Sequence, residues 1–146
     1  MSLKKSQKNT IDNDLLEAEF FEDVLLIGIV SAFEYYKLVS FIIERLNIPF
    51  ERYIEMDNVV SDICYPTFKY VNEDKNIEHF IFCNKRKTNV LMQDAKNIDF
   101  IYMLKGSLSN QNEIQHFHSY LKKVEGIDFS FFIENTKLKS RQYLIY

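Results

Sequence analysis

The stretch Val24-Leu25-Leu26-Ile27-Gly28-Ile29-Val30-Ser31-Ala32-Phe33-Glu34 decides the fold. Its seven continuous apolar residues fall far short of a membrane span, so they read as a buried strand. Gly28 marks a place where a neighbour comes close. Ser31 followed by Glu34 has the spacing of a capping box, in which each side chain reaches the other's backbone N–H, so a helix is expected at once. Tyr35, Leu38, Val39, Ile42 and Leu46 then share one helical face, and Asn47 and Pro49 stop the run.

The same plan recurs downstream. Ile98 to Leu104 reads as a strand, and Asn110 with Glu113 forms a second capping box. Ile114, Phe117, Leu121 and Val124 make an apolar stripe, Lys122 and Lys123 suit the helix's negative end, and Gly126 suits a left-handed stop. Ile127 to Ile133 alternates as a last strand. Between the two units, Tyr65–Val71 and Ile77–Cys83 form an expected hairpin around residues 72–76. Shorter strands are expected at Phe50–Ile54 and Thr88–Met92. A short helix is expected at Asp14–Phe21 and a single helical turn at 135–140.

These elements predict an α+β domain. A mainly antiparallel sheet carries two principal helices on one face, in a ferredoxin-like core with an inserted hairpin. Residues 1–12 are polar and read as a loose N-terminal tail, leaving 13–146 as a single domain. With Phe68 opposite Phe80, one hairpin face holds Phe68, Tyr70, Phe80 and Phe82, and the other holds Tyr65, Val71, Ile77 and Ile81. Both faces are then apolar, so something must cover the second one. The C-terminal Tyr143–Tyr146 segment or a second copy of the chain is expected there.

Composition narrows function by exclusion. Of 146 residues 47% are hydrophobic and 27% charged, which fits one globular domain and excludes a disordered chain. The net charge of −3 argues against general nucleic-acid binding, which needs a basic footprint. The aromatic residues near Lys69 and Lys85-Arg86-Lys87 lack a known RNA-binding signature. Residues 12–34 carry acids and no base, an acidic face suited to solvent or to a basic partner. No apolar run follows the N-terminal lysines, so no signal peptide is expected, and the protein is expected to be soluble and cytoplasmic. Cys64 and Cys83 read as free thiols of a reducing compartment, in apolar surroundings that raise their pKa.

No catalytic or cofactor motif is present. Only three glycines occur, so a Gly-rich phosphate loop is not expected, nor is a cofactor. His116 and His118 lie on different sides of a helix and cannot grip one ion, and no metal site is expected. His79 is expected in the hairpin facing Lys69 or a neighbour. Lys105-Gly106-Ser107, before a helix, is a weak anion-site candidate.

The segment Met92-Gln93-Asp94-Ala95-Lys96-Asn97-Ile98-Asp99-Phe100 resembles the signature of the IPExxxVDY family of small Bacteroidetes proteins. Met92, Asp94, Ile98 and Phe100 stand for Ile, Glu, Val and Tyr; Asp99 is identical; Gln93 replaces the proline. The resemblance implies a bacterial cytoplasmic protein with no assigned reaction.

Asp94 and Asp99 are paired carboxylates of the kind that serve as acid and base. Their structural reading is a turn for Asp94 and, for a buried Asp99, a partner such as Lys37 or Arg52. The leading functional expectation is a non-enzymatic interaction or regulatory module. It is a homodimer or binds another protein through an apolar sheet surface that includes Phe68 and Phe80. The alternative is a small-molecule-binding domain with a cavity lined by Tyr35, Tyr102 and Asp99, and an acid/base enzyme comes third.

Overall fold

A computed structural model describes residues 13–108 and 110–145 of the chain. The expected tail at 1–12 and the final Tyr146 lie outside the described residues. Residues 13–21 are helical (α1). The strands of the main sheet are β1 (Val24–Val30), β2 (Glu51–Arg52), β5 (Thr67–Asn72), β6 (Ile77–Cys83), β9 (Phe100–Gly106) and β10 (Phe129–Ile133). Two small hairpins, β3 (Asn58–Val60) with β4 (Ile63–Tyr65) and β7 (Lys85–Arg86) with β8 (Asn89–Val90), stand apart from it. The long helices are α2 (Tyr35–Leu46) and α3 (Gln111–Leu121).

The main sheet runs β10-β1-β9-β6-β5-β2, and every neighbouring pair is antiparallel. Taken alone, β1-α2-β6-β9-α3-β10 has the ferredoxin-like order, with the last strand beside the first and the third between first and second. The α+β reading therefore holds. The hairpin is only half an insertion, because β6 is a core strand and β5 is the added arm.

The hairpin register differs from expectation by one residue. Thr67 pairs with Phe82, Phe68 with Ile81 and Asn72 with Ile77. The turn explains the slip. Asn72 Oδ1 accepts from the Lys75 backbone N–H at 3.2 Å, and Asn76 takes a left-handed φ of 55°. This closes the loop in four residues and draws Asn72 into the ladder. Because side chains alternate, the slip moves every β6 side chain to the other face. Phe68 and Tyr70 now share a face with His79 and Ile81, while Phe80 and Phe82 lie opposite.

Cross-strand partners carry these two sets across the sheet. Ile27, Tyr102, Ile81 and Phe68 lie in one row, and Leu26, Met103, Phe80 and Lys69 in a row on the other face. The first face takes the helices: the Phe117 ring of α3 lies 5.1 Å from that of Tyr102, and Tyr35 of α2 lies 6.1 Å from Phe68. Leu38 and Ile42 of α2 are fully buried. The opposite face is closed by the two ends of the domain. Arg141 Nε donates to Glu17 Oε1 at 2.7 Å and its guanidinium lies over the Phe21 ring. Leu138 and Leu144 are buried, and Asn58 Nδ2 donates to the Tyr143 carbonyl, tying in the β3–β4 hairpin. The C-terminal segment thus occupies the face for which a second copy was the other candidate.

Three local expectations change. Ser31 does not cap α2: its Oγ accepts from the Phe33 N–H at 3.1 Å, and the helix starts later, with Glu34 as an N-cap that makes no side-chain bond. The expected strands at 50–54 and 88–92 shrink to Glu51–Arg52 and Asn89–Val90, the first because residues 54–56 form a 3-10 turn. Other expectations stand. Asn47 is left-handed after α2, Asn110 Oδ1 accepts from the Glu113 N–H, and a Cβ on Gly28 would meet the Phe131 ring at 3.0 Å.

Candidate functional site

Asp94 and Asp99 serve separate contacts. Asp94 sits in a 3-10 turn (Gln93–Ala95), where Oδ2 accepts from the Lys139 N–H at 2.6 Å and the Ser140 N–H at 3.3 Å, and Oδ1 from the Ser140 hydroxyl. Burial pushes its carboxyl pKa up, but the Ser140 hydroxyl and the two N–H groups outweigh this and leave it below the usual value. Asp99 Oδ2 accepts from the Ser31 N–H at 2.8 Å, and its Oδ1 lies 3.5 Å from Lys85 Nζ. Lys85, and neither Lys37 nor Arg52, is therefore its cation. Lys37 lies over the Phe33 ring, and Arg52 forks onto Asp57 at 2.5 and 2.7 Å. Each aspartate fastens a distant backbone segment, and they line different clefts.

The cavity expected from Tyr35, Tyr102 and Asp99 does not form. Tyr35 and Asp99 border one shallow cleft, whereas Tyr102 is fully enclosed in the core. Phe80 is also fully buried, on the face away from half-buried Phe68. An apolar surface uniting Phe68 and Phe80 is thus absent, as the register requires. Lys105 is bound to Asp23 at 2.5 Å and to the Phe20 carbonyl, which takes it from the anion-site candidate. Among the described residues no cluster of His, Cys, Asp and Glu is placed to hold a metal. Both cysteines are free. Burial pushes the Cys83 thiol up to about 12, and burial and the Asp57 carboxylate raise Cys64, whose surroundings are polar.

Two features went unread in the sequence. The first is an edge. Strand β10 ends the sheet, and among the described residues nothing pairs with its outer side. It carries no charge, and Phe129, Phe131 and Phe132 are 69%, 42% and 36% exposed. The other edge, β2, is two residues long and charged, a common way to blunt an edge. Adjacent Phe131 and Phe132 break the polar–apolar alternation, and that was the available signal.

The second is a cavity of about 300 Å³ between the end of α2, the start of α3 and the sheet. Its polar centre is His79, 8% exposed, whose Nδ1 lies 2.7 Å from the Tyr102 hydroxyl. His79 faces away from Lys69, because the register turns it to the helix side, among Phe50, Tyr70, Tyr102 and Phe117. Burial, with a smaller push from the Lys75 charge, lowers its pKa from 6.5 to about 4. The folded protein therefore refuses a proton that the unfolded chain accepts below pH 6.5. Its stability falls as pH drops from 6.5 to 4, by about 2 kcal/mol at pH 5 from this group. Urea midpoints at pH 8 and pH 5 should separate less in His79→Leu than in the wild type by this amount; equal separations would refute the assignment.

No protein-family model matches the chain, and no curated protein matches it.

Proposed function

We propose that the protein is a non-enzymatic interaction module that works as a homodimer, with two β10 strands continuing the sheet from one copy to the next. The carrying observation is the contrast between the sheet's edges: one is short and charged, the other uncharged and set with three exposed phenylalanines. An uncovered apolar edge invites strand addition, and a two-fold pairing centred on Phe131 covers it with an identical edge. This relocates the expected apolar contact from the sheet's faces, which the chain itself covers, to its edge. A bacterial cytoplasmic setting is part of the same reading. The bacterial part rests on the resemblance carried by Met92–Phe100, and the two free thiols fit the cytoplasmic part.

Phe131→Lys tests the reading. At the two-fold centre it removes two aromatic contacts and sets two like charges face to face, so dimer affinity should fall about 100-fold or more, some 3 kcal/mol. Its fold should persist, because residue 131 is exposed. Sedimentation velocity at about 100 μM should give a wild-type dimer and a variant monomer. A monomeric wild type, or a variant that still dimerises, refutes it.

A further inference from the structure

The cavity beside His79 has a definite hydrogen-bonding polarity. The Tyr102 hydroxyl is fully enclosed, and its one hydrogen-bond partner among the described residues is His79 Nδ1. Were Nδ1 the donor, the tyrosine proton would be buried with no acceptor, a cost of about 1–3 kcal/mol. The hydroxyl therefore donates to Nδ1. The neutral imidazole then carries its proton on Nε2. Among the described residues no side-chain nitrogen or oxygen is both enclosed and without a hydrogen-bond partner, so Nε2–H, which has no partner among them, opens onto the cavity that His79 lines.

The walls complete the specification. Rings of Tyr70 and Phe117 flank the imidazole at 5.4 and 5.8 Å, Ile77, Leu104 and Ile114 add apolar wall, and Asn47, Asn72, Ser107 and Asn110 add polar groups. The two charged side chains among the described lining residues, Lys75 and Glu113, pair with each other at 3.6 Å and leave no net charge for an ion. We infer that this cavity binds a neutral small molecule of aromatic-ring size whose carbonyl oxygen accepts from His79 Nε2–H. A volume of about 300 Å³ lies at the small end of ligand pockets and suits roughly ten non-hydrogen atoms. This binding is independent of the β10 edge.

Three probes of matched size separate the elements of the inference: acetophenone, ethylbenzene, which lacks the acceptor, and benzoate, which carries a charge. NMR titration of the full chain, read at the His79 ring and the Phe117 and Leu104 signals, should show saturable binding of acetophenone. Its affinity should exceed that of ethylbenzene about 5–10-fold, the worth of one hydrogen bond, and benzoate should bind more weakly than acetophenone. In His79→Leu the advantage of acetophenone over ethylbenzene should vanish, and in Leu108→Trp, which fills the cavity, both should be lost. No saturable shift with acetophenone, equal affinities for acetophenone and ethylbenzene, or tighter binding of benzoate overturns the inference. So does an advantage that survives in His79→Leu. The wild-type ranking decides by itself if that variant does not fold.

Discussion

Asn84→Leu should cost about 3–4 kcal/mol, one of the two largest losses expected from a single substitution in this domain. Asn84 is fully buried just after β6. Its Nδ2 donates to the Ala95 and Ile98 carbonyls at 2.9 and 2.8 Å, and its Oδ1 accepts from the Met92 N–H at 2.8 Å. Its main chain also donates to the Asp99 carbonyl and accepts from Leu91 N–H. One side chain thus holds the segment from 91 to 99 against the sheet. Leucine fills the same space but leaves the Met92 N–H and the Ile98 carbonyl without these partners, at about 1–3 kcal/mol each; Ala95 keeps its bond from Ile98 N–H. Urea unfolding measures the loss. A change below about 1 kcal/mol would mean that water or a local shift replaces the side chain.

Gly106→Ala should cost about 3 kcal/mol or more. Gly106 ends β9 at φ 133°, a conformation that L side chains rarely adopt, and an added Cβ would lie 2.2 Å from the Asn76 carbonyl oxygen. That oxygen accepts from the Ser107 N–H, and Gly106 N–H donates to Asp23. The clash is with backbone at a junction fixed on both sides, so relief must disturb the hairpin turn or the end of β9. Gly126→Ala provides the contrast. There φ is 95° and the added Cβ meets the Phe33 ring at 2.3 Å, but a half-buried side chain can swing aside. Its cost should be clearly smaller in the same unfolding experiment. Equal losses would show that φ alone, and not the backbone clash, sets the penalty.

Both residues explain what could and could not be read from the chain. The periodic elements were legible because each announces itself locally: the apolar run of β1, the stripe of α2, the Asn110 cap, the left-handed Asn47. Their assembly into the ferredoxin-like order followed from chain order. The hairpin register was not legible. It turns on whether Asn72 belongs to the turn or to the ladder, and that one residue decides whether Phe80 or His79 faces the helices. From it followed the false pairing of Phe68 with Phe80, and His79 lies opposite Tyr70 rather than Lys69. Asn84 was silent for another reason. A buried asparagine is recognised by the loop it satisfies, and that loop lies 8–14 residues away.

The segment from Met92 to Phe100 is accordingly scaffolding in this molecule. Asp94 holds the C-terminal segment, Asp99 holds the start of the β1–α2 link, and Asn84 holds the loop between them. Two of the seven acids in residues 12–34 are likewise answered from within, Glu17 by Arg141 and Asp23 by Lys105. The proposed contacts with other molecules fall to the β10 edge and the His79 cavity.

Hydrogen exchange at the outward-facing β10 amides, measured as a function of protein concentration, tests the proposed dimer most directly. Paired edges protect these amides in proportion to the dimer present. At about 100 μM they should exchange slowly, and on dilution towards about 1 μM they should speed up, while the amides of central β9 stay unchanged. Outward β10 amides that exchange equally fast at both concentrations would contradict pairing through this edge.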